Sequence, residues 1–391
     1  MTALLPLLRP AGPANSVPVD AMIALALVAV LLWAGSSRLR LAFPFALPLG
    51  LFLVGGALGA LSGPVPRTGL VALVQDVTLL LWFWAVVNIG SSPERLQAIA
   101  RAWAYAAIGW AILLLGSVAA GVTAISGQTE SEGVRAALTF GNANFAGNYF
   151  FVSIMIVWAT GRPRNATFRR AAYVLLLAAL VSTGSNSALV AVALGTTVAC
   201  LLGVYRRSGP IPAVTALAGA ALAFSLVASN VSLSDIQSSA SRSSYAYIRD
   251  GVGRSAKATS DRGLLWRQGI GLYQTSSPLG RGPASTKVRL KAELAHRPVE
   301  AHSDYLAAIN ERGVLGLVGV FLLVAGLCFQ AFRLARAAPT GAIGRAIPRP
   351  NALVGATAGM LIAMTTTEYL HVRHVWVLFA VVVAGARLAR E

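Results

Sequence analysis

The 391-residue sequence contains few charged residues. Asp, Glu, Lys and Arg make up 12% of the chain, whereas an ordinary soluble domain carries about 25%. Apolar residues make up 56%, and stretches of roughly 20 apolar residues, enough to cross a bilayer, follow one another from Val19 to Ala389. This composition excludes a soluble globular protein and predicts a membrane protein with many helices.

Cysteine and acidic residues are also scarce. The two cysteines, Cys200 and Cys328, lie far apart in apolar segments, so we expect core residues and no disulfide framework. The 14 acidic residues face 32 Lys and Arg, which gives a formal net charge of +18. In a soluble protein this balance would suggest a nucleic-acid partner. In a membrane protein much of it can set the topology, and we expect no nucleic-acid partner.

Apolar segments of spanning length occur at eleven places, so the sequence predicts an all-α polytopic membrane protein of about eleven transmembrane helices. The predicted spans are residues 19–35, 41–61, 68–89, 98–121, 139–160, 171–184, 187–205, 211–230, 305–332, 351–369 and 374–388.

Arginine is distributed unevenly between the short linkers. Linkers after odd-numbered spans hold most of the arginines, whereas those after even-numbered spans hold only Arg67, Arg135 and Arg373. Since Lys and Arg in short loops favour the cytoplasm, the odd linkers are predicted to be cytoplasmic. We therefore expect a multi-pass protein of the inner (cytoplasmic) membrane with its N-terminus outside.

The longest connection, residues 231–304, is predicted to lie on the outer side. A solvated loop is one interpretation, supported by the Ser-rich stretch 238–244. Residues 261–276, however, begin with an N-cap candidate and predict a helix. Its apolar residues at helix-like spacing are Leu265, Trp266, Ile270, Leu272 and Tyr273. We expect a partly helical cap on the outer surface, with the Ser-rich stretch as its flexible arm.

Polar residues inside the spans are costly and mark function by default. They gather near the predicted outer ends of the spans: Gln75, Asp76, Asn142, Asn144, Asn148, Ser185, Asn186, Glu311, Arg312, Glu368, His371, Arg373 and His374. Taken singly, each has a structural explanation: the asparagines can bond neighbouring helices, Asp76 can pair with an arginine, and Glu311 with Arg312. Their convergence on one side predicts a cavity that is open to the outer leaflet beneath the cap.

The predicted ligand of this cavity is a lipid-linked diphosphate. A planar guanidinium binds phosphate oxygens through two parallel hydrogen bonds and stays charged, and the cap is rich in arginine. On that side, no Asp-x-Asp or His-rich cluster offers a metal site, and no Gly-rich phosphate loop offers a nucleotide site. We therefore expect neither a metal ion nor a cofactor.

Three stretches resemble the O-antigen ligase and polymerase family. They are TFGNANFAGN at 139–148, SDRGLLWRQGIGLYQTSSPLGRG at 260–282 and AHSDYLAAINERGVLG at 301–316. The second is similar to the family's Arg, Trp and Pro-Leu-Gly-x-Gly pattern. The third is similar to its His-x-Asp-Tyr-Leu and Glu-x-Gly pattern. On this basis we divide the chain into N-terminal helices 1–138, a ligase-like module 139–334 that includes the outer loop, and a cytoplasmic linker with a helix pair 335–391.

The resemblance implies a metal-independent membrane glycosyltransferase. It moves a glycan from undecaprenyl diphosphate to an acceptor hydroxyl at the outer face of the cytoplasmic membrane, which faces the periplasm or the cell exterior. Carried over by position, Arg262 and Arg267 would serve the diphosphate or orient the sugar. His302 would be the base near the acceptor, and imidazole is suited to that role near neutral pH.

The chain departs from the family at one arginine. Members often have Arg in a Ser-Arg-Gly tip before the seventh span, where this chain has Ser185, Asn186 and Ser187. The missing diphosphate contact would then come from Arg281 or Arg135. The predicted catalytic residues are His302 and Arg262, and the predicted substrate-binding residues are Arg267, Arg281, Asn144, Asn186, Asp304 and Tyr305.

Three acceptors fit the same chemistry: a lipid core in a ligase, the growing chain in a polysaccharide polymerase, or a protein hydroxyl in an O-oligosaccharyltransferase. A transporter or flippase of polysaccharide or lipid-linked glycan is the rival from another class. It would predict internal repeats and polar groups near the midplane of the membrane. The chain has no evident repeat, and its polar groups lie toward the predicted outer side.

The predicted topology can be tested by labelling Ser243→Cys in a variant whose two native cysteines are replaced. Because residues 231–304 are assigned to the outer side, a membrane-impermeant thiol reagent should label this cysteine on intact cells or spheroplasts. Labelling that occurs only after lysis would reverse the topology.

Overall fold

The computed structural model describes residues 2–8, 17–37, 41–128, 134–230, 233–244, 249, 266–274, 277–286, 303–338 and 341–390. Throughout these ranges the regular structure is helical, without a strand, which confirms the all-α prediction.

Eleven helices of 14 or more residues occur in the described part of the chain, one at each predicted span. Six of them, α1, α3, α4, α5, α7 and α9, are long and apolar enough to cross a membrane. The total of about eleven crossings stays a prediction. The bounds are α1 Pro18–Ser37, α2 Ala46–Ser62, α3 Pro66–Ile89, α4 Pro93–Ala119, α5 Ala143–Thr160, α6 Ala166–Ser182, α7 Asn186–Ser208, α8 Pro210–Asn230, α9 Asp304–Arg336, α10 Pro350–Ala363 and α11 Arg373–Leu388.

The arginine-rich linkers meet at one end of the bundle, which we call the arginine-rich end. Arg206, at the end of α7, donates hydrogen bonds of 2.6–2.9 Å to the carbonyls of Leu334, Ala335 and Ala337 at the end of α9. A cation is favourable there because the last carbonyls of a helix lack helical partners. The guanidinium of Arg95, at the start of α4, lies 4.7 Å from the ring of Trp33 in α1. Odd-numbered helices therefore end where even-numbered helices begin.

The opposite end brings together the starts of odd-numbered helices. Asp20 in α1 accepts two hydrogen bonds of 2.7 Å from Arg373, the first residue of α11. The backbone N–H of Ala136, before α5, donates to the carbonyl of Ser182 at the end of α6 (3.0 Å). This end carries most of the polar residues singled out in the sequence, and we call it the polar end.

Glycines allow two helix pairs to pack with their backbones close together, as small residues do in membrane proteins. In α2, Gly55 lies against the backbone of Arg312 and Gly316 in α9, and Gly59 lies against the carbonyl of Glu311. In α7, Gly195 lies against Gly355 of α10, where an added methyl group would come within 2.8 Å of the Gly355 carbonyl oxygen. The site described below is built on these two pairs.

A helix is present at 266–274 within the predicted range, and its docking face agrees with the prediction only in part. Leu272, a member of the predicted face, is buried beside Gly269, whereas Trp266, Ile270 and Tyr273 are exposed. The reason is the missing side chain of Gly269, which admits the side chain of Leu306 from α9. Leu265 lies outside the described residues. The Ser-rich stretch 238–244, predicted to be a flexible arm, is helical as far as Ser241 at the end of a helix over Leu233–Ser241, and the cap as a whole stays a prediction.

The α7–α10 contact can be tested with Gly195→Ala and a matched control, Gly116→Ala. Alanine usually stabilises a helix relative to glycine by roughly 0.5–1 kcal/mol, and Gly116 in α4 has nothing within 4 Å of the added methyl group. Gly195→Ala should instead lower the free energy of unfolding by about 1–3 kcal/mol through overpacking. Thermal unfolding of the purified protein in detergent measures both. Equal stability of the two variants would contradict the close packing.

Candidate functional site

A hydrogen-bonded network of five side chains crosses the polar end. Arg135 Nη2 donates to Asn144 Oδ1 (3.0 Å), which also accepts from Ser185 Oγ (3.2 Å). Ser185 Oγ lies 3.2 Å from Ser187 Oγ, which lies 3.3 Å from the hydroxyl of Tyr369. The polar network, as we call these five residues, joins the starts of α5 and α7 to the segment between α10 and α11.

Helix caps and a glycine turn hold the network in place. Asn142 caps α5 by accepting the N–H of Asn144 (2.8 Å), and Ser185 caps α7 by accepting the N–H of Ala188 (3.4 Å). Gly184 has φ +57°, a conformation that suits glycine and lets the chain reverse between α6 and α7. Two helix N-termini, which favour anions, therefore meet at the network.

Arg135 lies against the turn between α6 and α7. Its Nε donates to the carbonyl of Thr183 (2.9 Å), its side chain packs on Gly184, and the residue is 8% exposed. This is the tip where the family resemblance led us to expect an arginine and the chain has Asn186. Of the two arginines offered as replacements, Arg135 is at the tip. Arg281 lies in a loop before α9 that packs against both α2 and α9.

Asp304 ties the start of α9 to the polar network. Its two carboxylate oxygens accept the N–H groups of Tyr369 (2.8 Å) and Leu370 (2.9 Å). The next residue, Tyr305, donates its hydroxyl hydrogen to the carbonyl of Leu361 (3.2 Å), and its ring stacks on that of Phe321. These contacts give both residues a structural role, and their predicted contact with substrate stays a prediction.

The loop 277–286 fills a break in α9. Gly313 has φ +62° and ψ −162°, so the helical hydrogen bonds stop there. The loop supplies replacements: Val314 N–H donates to the Pro278 carbonyl (3.0 Å), and Arg281 N–H donates to the Asn310 carbonyl (2.9 Å). The Pro-Leu-Gly-x-Gly stretch and the Glu-x-Gly stretch noted in the sequence are therefore in contact with each other.

Glu311 fixes the same loop through its side chain. Its carboxylate accepts the N–H groups of Ala284 (2.9 Å) and Thr286 (3.3 Å), and its carbonyl accepts Gly282 N–H (2.8 Å). A buried carboxylate needs such donors to offset the loss of water. The sequence had left open whether Glu311 pairs with Arg312, and the structure has the two neighbouring side chains bound to different elements. The backbone of Arg281 is held in position as a result.

Arg312 forms a buried ion pair with Asp76 of α3. Arg312 Nη2 lies 2.6 Å from Asp76 Oδ2, and both side chains are less than 10% exposed. The guanidinium also lies 3.8 Å from the ring of Phe52 in α2, beside Gly56, which leaves room for it. The sequence had left Asp76 open between function and a structural ion pair, and the structure places it in an ion pair.

His374 and Asn148 lie in the core. His374 Nε2 is 2.8 Å from Asn148 Oδ1, and the imidazole is enclosed by the rings of Phe140 and Tyr149. Both residues are buried at 1% exposure or less. This pair joins α5 to α11, and we assign it a structural role.

The remaining predicted site residues are not members of the polar network. Asn186 is the first residue of α7 and is half-buried beside Ser187. Arg267 is exposed on the helix 266–274, and Arg281 lies in the loop that fills the α9 break. The two predicted catalytic residues, Arg262 and His302, lie outside the described residues.

Sequence reasoning did not identify Tyr369 as a member of the site. Its hydroxyl contacts Ser187 and donates to the carbonyl of Asn144 (3.4 Å), although the two residues are 225 positions apart. The available signal was the polar stretch TTTE at 365–368, which directly precedes Tyr369. A tyrosine at the end of a span is also typical of an anchor at the membrane interface, so the sequence did not single out Tyr369 as a site residue.

The comparisons with known proteins agree with the resemblance. The family model described as O-antigen ligase matches residues 171–321, from α6 into α9. The match supports an O-antigen ligase family assignment, and with it a multi-pass membrane enzyme that transfers glycan. It lies within the predicted module 139–334, whose bounds stay a prediction. No curated protein matches the chain.

The buried ion pair can be tested with Asp76→Ala and a matched control, Asp20→Ala. Removing Asp76 leaves the buried Arg312 charge without its partner and should cost about 3–5 kcal/mol of unfolding free energy. The Asp20–Arg373 pair is more exposed (22% and 18% for the side chains), so its loss should cost about 0–1 kcal/mol. Denaturation in detergent compares the two.

Replacing both partners, as Asp76→Leu with Arg312→Met, should recover most of the stability because no charge is then left buried. Equal losses in the two single variants, or a double variant no better than Asp76→Ala, would contradict a buried pair.

Proposed function

We propose that the protein transfers a glycan from an undecaprenyl-diphosphate carrier to an acceptor hydroxyl at the outer face of the cytoplasmic membrane. One observation carries the proposal. The polar network is built on the turn between α6 and α7, inside the matched region, and is tied through Asp304 to the start of α9, which the match also covers.

The side of the membrane follows from the charge distribution. The arginine-rich end holds the short basic linkers, which favour the cytoplasm. The polar network lies at the other end and would then face the periplasm or the cell exterior. Lipid-linked glycans are the expected donors there, which agrees with the family assignment.

Arginines are the proposed partners of the diphosphate. Arg135 brings a permanent positive charge to the turn between α6 and α7, beside two helix N-termini. Arg281 is held in the loop that fills the α9 break, and Arg267 lies on the cap helix. With Arg262, they would stabilise the charge that develops on the leaving diphosphate, which is where an already good leaving group most needs help.

His302 is the proposed base on the acceptor side. It directly precedes Ser303, whose side chain caps α9 by accepting the N–H of Leu306 (3.4 Å). In the proposed step the acceptor oxygen bonds to the anomeric carbon of the donor sugar, and the bond from that carbon to the diphosphate oxygen breaks. His302 takes the hydroxyl proton, and undecaprenyl diphosphate leaves with the bonding electron pair.

The function can be tested by complementing a deletion strain and measuring envelope glycans by mass spectrometry. The deletion should accumulate lipid-linked glycan, and the bond left unmade identifies the acceptor as lipid, polysaccharide or protein. His302→Ala should lower turnover by about 10²–10⁴-fold, the usual scale of general-base catalysis. His296→Ala, six residues away in the same polar stretch, is the control and should complement fully.

A deletion strain with normal envelope glycans and no accumulated carrier would overturn the proposed function. A His302→Ala protein that complements as well as His296→Ala would remove His302 from the mechanism and leave the function standing.

A further inference from the structure

Three arginines converge at the arginine-rich end of the bundle. Arg101 lies about two turns into α4, and the charges of Arg162 and Arg164, in the linker between α5 and α6, act on its guanidinium. Within the part of the chain that the structure describes, none of these three side chains forms a hydrogen bond or an ion pair, and Arg101 Nε is shielded from solvent as well. We call the three residues the arginine cluster. Because like charges repel, an anion bound among them would be stabilised.

The linker that carries two of these arginines has a fixed backbone. Arg169, in the first turns of α6, donates through Nη1 to the carbonyls of Gly161, Pro163 and Arg164 at 3.1–3.4 Å. Asn165 caps α6 with its side chain. A site whose backbone is already ordered loses less conformational entropy when a ligand binds.

Acidic residues are scarce around the arginine cluster. Of the acidic residues that the structure describes, Glu94, at the start of α4, is the one that lies at this end of the bundle. The charges that act on Glu94 are those of Arg95 and Arg345, not those of the cluster. The described part of the chain therefore leaves the charge of the cluster available to an external anion.

The surface of α4 next to the cluster is apolar and exposed. Tyr105 and Ile112 lie about one and three turns beyond Arg101 on the same side of the helix, and both are exposed. Phe168, which follows the linker in α6, is exposed as well. In a membrane protein such a surface contacts acyl chains. A cationic cluster beside it matches a phospholipid, whose phosphate lies at the interface and whose chains lie along the helices.

Positive charge in this linker also favours the predicted topology, but that role does not account for the arrangement. Topology requires only that Lys and Arg are present in the short loop. It does not require that Arg101, on another helix, converges with Arg162 and Arg164, or that Arg169 fixes the backbone between them. The convergence therefore needs a ligand as its explanation.

We propose that the arginine cluster binds the phosphate of an anionic phospholipid in the leaflet at the arginine-rich end, which is the cytoplasmic leaflet in the predicted topology. Guanidinium groups bind phosphate oxygens through paired hydrogen bonds and stay charged. A zwitterionic phospholipid brings its own cation next to the phosphate, which the cluster would repel. An anionic lipid such as phosphatidylglycerol brings none and is the better ligand.

The experiment is a titration of the purified protein in detergent with phosphatidylglycerol, followed by native mass spectrometry. The test variant is Arg162→Gln with Arg164→Gln. The matched control, Arg207→Gln with Arg390→Gln, removes two exposed arginines elsewhere at the same end. Arg169 and Arg170 remain in the linker of the test variant, so its orientation in the membrane should be kept. The wild type and the control should bind the first lipid with the same Kd, and the test variant should raise this Kd by at least about tenfold.

Two further measurements identify the ligand and the place where it binds. Phosphatidylcholine should bind the wild type at least about tenfold more weakly than phosphatidylglycerol. A photoreactive phosphatidylglycerol should crosslink to residues 101–112 of α4 or to the first turns of α6, and millimolar inorganic phosphate should not prevent this. Arg164→Gln alone, at an exposed position, serves if the double variant does not fold, and should still weaken binding several-fold.

Four results would each overturn the proposal. They are equal Kd values for the two lipids, equal Kd values for the test variant and the control, crosslinks confined to other helices, and loss of the crosslink in inorganic phosphate, which would indicate a site for free phosphate. The site lies at the end opposite the polar network, so none of these results depends on the proposed glycan transfer.

Discussion

The break in α9 at Gly313 is the constraint on which the arrangement of this end of the bundle depends. A helix that is interrupted near the membrane leaves carbonyl and N–H groups without partners, and each unpaired group in an apolar environment costs several kcal/mol. Here the loop 277–286 supplies those partners, since Pro278 and Arg281 bond to Val314 and Asn310 through their backbones. The break and the loop therefore require each other. Neither would be stable alone.

Glu311 and Arg312 extend this constraint to the first helices of the chain. The Glu311 carboxylate binds the loop, whereas the Arg312 guanidinium binds Asp76 in α3 and lies on Phe52 in α2. Two adjacent residues of opposite charge thus bind two different elements. The glycines of α2 also pack closely on α9, so the loop lies in contact with both helices.

The positions of the helices were predictable from the sequence, and the partners of their polar residues were not. Long apolar runs locate a span directly, and each of the eleven predicted spans contains a helix. Periodicity shows which residues share a helix face but not which face finds a partner. For this reason the predicted docking face of the helix 266–274 was right for Leu272 and wrong for Trp266, Ile270 and Tyr273, because the absence of a side chain at Gly269 decided which face packs. The Asn144–Tyr369 contact and the position of Arg135 likewise depend on how the helices pack. The residues next to each of these positions in the sequence do not reveal that packing.

Arginine has different hydrogen-bond partners at the two ends of the bundle. At the arginine-rich end, Arg206 binds three carbonyls at the end of α9, and at the polar end Arg135 binds a carbonyl and an amide oxygen. Carbonyl oxygens carry only partial charge, so the hydrogen bonds of Arg206 position its guanidinium without neutralising it. Arg206 can therefore stabilise a helix end and still contribute to the positive charge of the arginine-rich end. At the polar end the same kind of hydrogen bond holds Arg135 in the turn between α6 and α7.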